Sequence, residues 1–101
     1  MRIFIRPKAS ADLESQALFI SFDNARMAYQ LCEACEETFK RLAKMPHLGQ
    51  IYPTGKKRLL GIRFFPIAGF ERHFIFYVPL KDRIDIVRIL YSRQDITRII
   101  K

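Results

Sequence analysis

Apolar residues recur at two periods along this chain, and each change of period marks an element. In "MRIFIR", Ile3 and Ile5 alternate with Arg2, Phe4 and Arg6, the period of a short strand. Pro7 closes it, because proline lacks the amide that a continuing ladder needs. The same residue suits the first turn of a helix, where that amide has no partner. Ala9, Leu13, Ala17 and Ile20 follow at spacings of four, four and three, the stripe of a first helix. Asp23 or Asn24 is placed to cap a second helix by accepting from its free amides. The second stripe runs Ala28, Leu31, Cys35, Phe39 and Leu42, with Glu33, Glu36, Glu37, Lys40 and Arg41 mostly off it. Lys40, Arg41 and Lys44 complement the dipole at its end, and Met45-Pro46 stops it. Two helices joined this closely predict an antiparallel hairpin.

The segment "PHLGQIYPTGKKR", with its two prolines and two glycines, reads as loop. "LLGIRFFPI" predicts a strand with Gly61 as a bulge and Pro66 near its end. "AGFE" predicts a turn, "RHFIFYVP" a second strand, "LKD" or "KDR" another turn, and "IDIVRILY" a third strand. "RQDITRII" has the period of one or two helical turns, or of a tail docking through Ile96, Ile99 and Ile100. The order predicts one α+β domain over residues 1–101, with the hairpin on one face of a sheet that ends in a three-stranded antiparallel meander. Strict alternation puts Ile84, Ile86 and Leu90 on one face of the last strand, and Val87, Ile89 and Tyr91 on the other. The helices of so small a chain cover one face only. The second apolar face is therefore expected to mark an interaction site, unless the sheet curls and the tail covers it.

Composition agrees with a single core and adds an electrostatic asymmetry. The chain has 101 residues, and nine of its thirteen aromatics are Phe, which needs no hydrogen-bond partner when buried. Net charge is +8; residues 1–53 carry a balance of +1 and residues 54–101 a balance of +7. A C-terminal half this basic calls for an acidic partner, nucleic acid or an acidic protein segment. No run approaches the ~18 apolar residues of a membrane span, and Arg6 and Pro7 interrupt the N-terminus too early for a signal peptide. With only two cysteines, a disulfide framework is not expected, and the reading is a soluble cytoplasmic protein.

Candidate chemistry is sparse. Cys32 and Cys35 form a C-x-x-C in mid-helix, away from the helix N-terminus that would activate a redox thiol, and read as small core residues. His47 and His73 are the only histidines, so a four-ligand zinc site is not expected, and no metal or cofactor is. Gly55, Lys56 and Lys57 form a basic loop that could contribute to anion binding without being a phosphate loop. One cluster has acid and base capability. Glu71 and His73 share a face of a strand, and Arg63 and Tyr91 on neighbouring strands could join them in a site that activates a ribose 2′-hydroxyl.

The layout resembles the ParE/RelE toxin superfamily of bacterial toxin-antitoxin operons, the ParE branch in particular. The resemblance rests on "RPKASADLES" opening the first helix, on "FKRLAKMPHLGQ" closing the second, and on "GIRFFPI" after it. It rests most on "RHFIFYVPLKDRIDIVRILYSRQDI", similar to the family's aromatic strand, turn, and "I-x-I-V-R-V-L-H" strand ending in an R-D pair. The resemblance implies a strand, helix, helix, three-strand fold held inactive by a cognate antitoxin with an acidic, partly disordered segment. ParE-like relatives act on DNA gyrase; RelE-like relatives cut messenger RNA on the ribosome. Against the RelE pattern, Phe74 stands where a middle-strand arginine belongs, Arg93 matches the later arginine, and no tyrosine follows it.

The resemblance therefore implies a gyrase-binding toxin, and Arg88, Tyr91, Arg93 and Arg98 are the candidate surface toward the target. For the antitoxin it implies Arg63, Phe74, Phe76, Val87 and Ile89 on the uncovered sheet face. The alternative is a ribosome-dependent endonuclease using Arg63, Glu71, His73, Tyr91 and Arg93.

Overall fold

The computed structural model describes residues 1–54 and 61–100. The basic loop residues Gly55, Lys56 and Lys57 lie outside the described residues. Strand β1 (Arg2–Ile5) leads into helix α1 (Pro7–Ser21), which packs against helix α2 (Ala25–Lys44). Strands β2 (Gln50–Ile51), β3 (Arg63–Ile67), β4 (Phe70–Pro79) and β5 (Arg83–Tyr91) follow, and helix α3 (Ile96–Ile100) closes the order. They form one five-stranded sheet in the order β1-β5-β4-β3-β2, antiparallel except where β1 runs parallel to β5. No helix among the described residues is long and apolar enough to cross a membrane.

The local signals act as their chemistry demands. Pro7 opens α1, and Asn24 caps α2 by accepting from the Met27 amide at 3.0 Å. Leu31, Cys35, Phe39 and Leu42 of α2 are buried against Ile75, Tyr77, Ile84, Ile86 and Ile89 of the sheet, with Ala9 of α1 wedged between. Burial pushes the Cys35 thiol up to about 12, with Cys32 and Glu36 adding to the effect, so the thiol stays protonated and serves as a small core group. The predicted α1 stripe faces the core, with Leu13 and Ile20 packed partly buried against it. Ala9 is the fully buried member, while Leu18 and Phe19, off the stripe, stand exposed.

Four sequence expectations are corrected. The loop after α2 contains β2, two residues that pair antiparallel with Arg63 and Phe64. Strand β3 begins at Arg63, and Gly61 lies in a turn ahead of it rather than at a bulge. Strand β4 starts at Phe70, because Ala68 and Gly69 suffice for the turn; Gly69 adopts φ +83°, where a side chain is strained.

The fourth correction decides which residues face what. Phe76 pairs with Arg88 and Tyr77 with Ile86, leaving Val87 as the extra residue of a β-bulge. Beyond it the alternation inverts. Ile84, Ile86 and Ile89 face the helices, while Val87 and Leu90 face away with Ile62, Phe76 and Ile100. Ile89 is thus removed from the sheet face that Val87, Phe74 and Phe76 share. That second face is covered by the chain itself: α3 docks Ile96, Ile99 and Ile100 over it, beside Tyr52 and Phe64. Tyr52 meets Phe76 edge-on at 5.4 Å, and its hydroxyl lies 3.3 Å from that of Thr97 on α3. Phe76 and Val87 are buried under this cover, and the face expected to await an antitoxin is occupied.

The β5 edge explains how α1 is held. β1 accompanies β5 only to Ile86, whose carbonyl accepts from the Arg6 amide at 3.0 Å. Past that point two side chains one helical turn apart on α1 replace the missing strand. Asp12 accepts from the Ile89 amide at 3.0 Å, and Gln16 Nε2 donates to the Ile89 carbonyl at 2.8 Å. Arg88, placed at the bulge, binds the Asp12 carboxylate with Nε and one terminal nitrogen at 2.7 and 2.8 Å. The bonds to Asp12 hold the Arg88 proton more firmly than usual, against the opposing effect of burial. At the other end Asp85 of β5, 4% exposed, binds Arg6, which follows β1, at 3.1 Å, and pairs with Arg83 of its own strand at 2.8 Å.

Candidate functional site

On β4, residues 73, 75 and 77 face the helices, and the two polar members of that row have opposite surroundings. Tyr77 is fully buried; its hydroxyl donates to the Pro46 carbonyl at 2.8 Å and accepts from the Gly49 amide at 2.9 Å. Burial raises its pKa, and the phenol is committed to holding the loop after α2. Arg63 serves the same loop, donating to the Gly49 carbonyl at 2.7 Å and the His47 carbonyl at 3.3 Å.

His73 lies at the other end of the row, opposite Tyr91 in the β4–β5 ladder. The residue is 8% exposed, and its ring sits 4.8 Å from the Tyr91 ring and 6.2 Å from that of Phe70. Nδ1 lies 2.7 Å from Gln16 Oε1. The Gln16 amide is oriented by its other bond, since Nε2 already donates to the Ile89 carbonyl. Oε1 is therefore the acceptor and His73 Nδ1 the donor, which leaves the lone pair of the neutral ring on Nε2. Burial pushes the His73 pKa down, so the neutral ring is the form present at neutral pH. The sequence singles out His73; Gln16 carries no motif, and only its place one helical turn after Asp12 could have flagged it.

These groups line a cleft of about 660 Å³ between α1, the start of α2 and the ends of β4 and β5. Its volume falls within the roughly 300–1,000 Å³ of sites that hold small ligands or side chains. Phe19, Ile20, Met27 and Phe70 make its walls apolar; His73, Tyr91 and Arg93 give it polar points.

The predicted site residues are only partly brought together. His73, Tyr91 and Arg93 share the cleft. Glu71 is exposed and its carboxylate turns to the Gly69 amide at 2.6 Å, so it does not join His73 as expected. Arg63 pairs across from Tyr77, at the far end of the row, which removes it from the acid and base cluster. Arg88 is spent on Asp12 and is not a free cation for a target. Arg98 is exposed on α3, apart from the cleft lining. Phe74 packs edge-on against Phe64 at 6.0 Å on the α3 side of the sheet, as an apolar side chain would.

Comparison with known proteins agrees with this architecture. No match was found among curated proteins. Among solved structures, one titled as the chromosomal ParDE TA system from P. aeruginosa superposes with a TM-score of 0.74 at 19% identity, over 92% of this chain and 97% of that one. At that identity the likeness establishes the fold. The family model described as the ParE toxin of the type II toxin-antitoxin system parDE matches residues 3–96, nearly the whole chain. The chain therefore belongs to the ParE toxin family of type II toxin-antitoxin systems.

Proposed function

We propose that this toxin arrests growth by binding DNA gyrase, and that a cognate acidic antitoxin holds it inactive. One observation carries the choice of a binding mode over a nuclease: the groups a ribonuclease would gather are dispersed into structural bonds. Glu71 serves the Gly69 amide, Arg63 the carbonyls of the Gly49 loop, and Phe74 fills an aromatic cluster in place of a cation. Arg93 and Arg98 remain exposed, and with Tyr91 they form the target-facing surface of this reading. Incubating the purified chain with gyrase and relaxed plasmid should abolish supercoiling or trap cleaved DNA. Full supercoiling at molar excess of the chain would overturn the proposal.

The antitoxin surface follows from what the fold leaves apolar and open. Since α3 covers Phe76 and Val87, and Ile89 faces the helices, the open apolar side chains lie elsewhere: Leu18, Phe19, Phe22 and Tyr29 of the hairpin are among the most exposed, with Ile3, Phe4, Ile5 and Ile51 open on the edge strands. An acidic, partly disordered segment would order its apolar side chains on this hairpin and set its carboxylates against the basic residues 54–101, whose balance is +7. Co-expression with a small acidic protein from the adjacent reading frame should restore growth.

A ribosome-dependent endonuclease is the competing reading, favoured by the open Nε2 of His73 beside Tyr91. Codon-phased cuts in translation extracts that vanish in both His73→Ala and Tyr91→Phe would select it over gyrase binding.

A further inference from the structure

His73 is more than nine-tenths buried, yet half of its hydrogen-bonding capacity is unused. Nδ1 is committed to Gln16, Nε2 has no hydrogen-bond partner among the described residues, and His73 belongs to the lining of the cleft. That acceptor, held in place by two successive hydrogen bonds, is available to a donor that enters the cleft. At the mouth, Arg93 is exposed and has no ion pair among the described residues. The walls between are mostly apolar and aromatic, with Asp12, Ser15, Gln16 and Gln94 also in the lining and Asp12 already paired with Arg88. Phe19 is 68% and Met27 43% exposed, and they continue into Phe22, 81% exposed at the tip of the hairpin.

We propose that this cleft receives one aromatic side chain carrying a hydrogen-bond donor, a tyrosine or tryptophan of a partner protein, with a neighbouring carboxylate on Arg93. The ring lies among Phe19, Phe70 and Tyr91, and its hydroxyl or indole N–H donates to His73 Nε2. The proposal rests on the reading that a protein partner neutralises the chain, and it names what that partner inserts. A nucleic acid would need several cations tracking successive phosphates, whereas the cleft lining holds the single cation Arg93. The walls favour a side chain that is large, apolar in body and polar at one tip. Asp12 is neutralised by Arg88, so Arg93 is the lining charge left to favour an acidic neighbour to that side chain.

The test uses the folded chain with isotope-labelled histidine and arginine, titrated by NMR with the blocked dipeptides Ac-Tyr-Glu-NH2, Ac-Phe-Glu-NH2 and Ac-Tyr-Gln-NH2 and with a single-stranded RNA hexamer. Ac-Tyr-Glu-NH2 should shift the His73 Nε2 and Arg93 signals and bind about tenfold more tightly than either of the other dipeptides, since each lacks one polar contact. His73→Phe should erase the preference for Tyr over Phe and keep that for Glu over Gln; Arg93→Gln should do the reverse. Equal affinity for the three dipeptides, no movement of the His73 signal at saturation, or tighter binding of the RNA hexamer at the same residues would overturn the site. If the adjacent acidic protein rescues growth while these preferences are absent, neutralisation stands and this site falls. If the preferences hold without rescue, the site stands and that reading of the partner falls.

Discussion

His73 and Tyr77 point the same way from the same strand, four residues apart, and differ in how much of their polarity the fold uses. Tyr77 gives and receives a hydrogen bond inside the core and has no exposed surface. His73 gives one bond to Gln16, and its second nitrogen opens on a cleft. A buried polar group with every bond satisfied contributes rigidity and holds its neighbours in register. One left half satisfied is poised for something outside the molecule. Position on a strand does not separate the two cases; the partners do.

The comparison breaks most severely if the support under the His73 end is removed. Asp12→Ala leaves Arg88 partly buried without its carboxylate and the Ile89 amide without its acceptor. A loss of about 3 kcal/mol is expected, the lower end for a broken buried pair because Arg88 keeps some exposure. Urea unfolding should show it as a lower midpoint with an unchanged slope.

At the Tyr77 end, Tyr77→Phe strands the Pro46 carbonyl and the Gly49 amide and should cost about 2 kcal/mol. Gly49→Ala should cost about 1–3 kcal/mol by overpacking. Its new Cβ would stand 2.7 Å from the Tyr77 hydroxyl and 2.9 Å from the Phe64 carbonyl. Growth arrest measured at equal soluble protein level should be unchanged in both variants if that end is purely structural.

A pH titration sharpens the same contrast. Burial lowers the His73 pKa below its ordinary 6.5 in the folded chain, so the unfolded chain takes up this proton first as pH falls. Stability from this group is complete above that value, declines below it by at most about 1.4 kcal/mol per pH unit, and stops declining once the folded ring protonates. His73→Phe should abolish that part of the slope. The same substitution should shift stability at pH 7 by less than about 1 kcal/mol, because one hydrogen bond is exchanged for apolar ring contact beside Phe70 and Tyr91. A larger change measured by thermal unfolding would place His73 with Tyr77 as a structural residue.

Legibility in the sequence followed how local each cause is. The α2 stripe, the Asn24 cap and the stop at Met45-Pro46 act within a few residues, and each stands where it was read. Docking of the tail through Ile96, Ile99 and Ile100 was also open to reading, because the apolar spacing is local even though its receptor is not. The bulge at Val87 was not. It arises from pairing between β4 and β5, and it moved Ile89 and Leu90 to faces opposite those that alternation assigns. Of the candidate site, His73, Tyr91 and Arg93 were legible as chemistry. The diversion of Glu71 to Gly69 and of Arg88 to Asp12 was not, since the competing partners stand in a turn and on a helix.

By itself, the order of apolar periods determined an α+β chain with a helical hairpin and a three-stranded meander, because hydrophobic burial at fixed periods acts along the chain. Only the tertiary structure decided that β1 lies parallel to β5, that α1 closes the rest of that edge with Asp12 and Gln16, and that the tail covers the second face. It also decided which polar groups are consumed by the fold and which one, His73 Nε2, stays open. Hydrogen bonds between groups more than fifty residues apart are set by which backbone edges remain unpaired after folding, and no residue spacing encodes that.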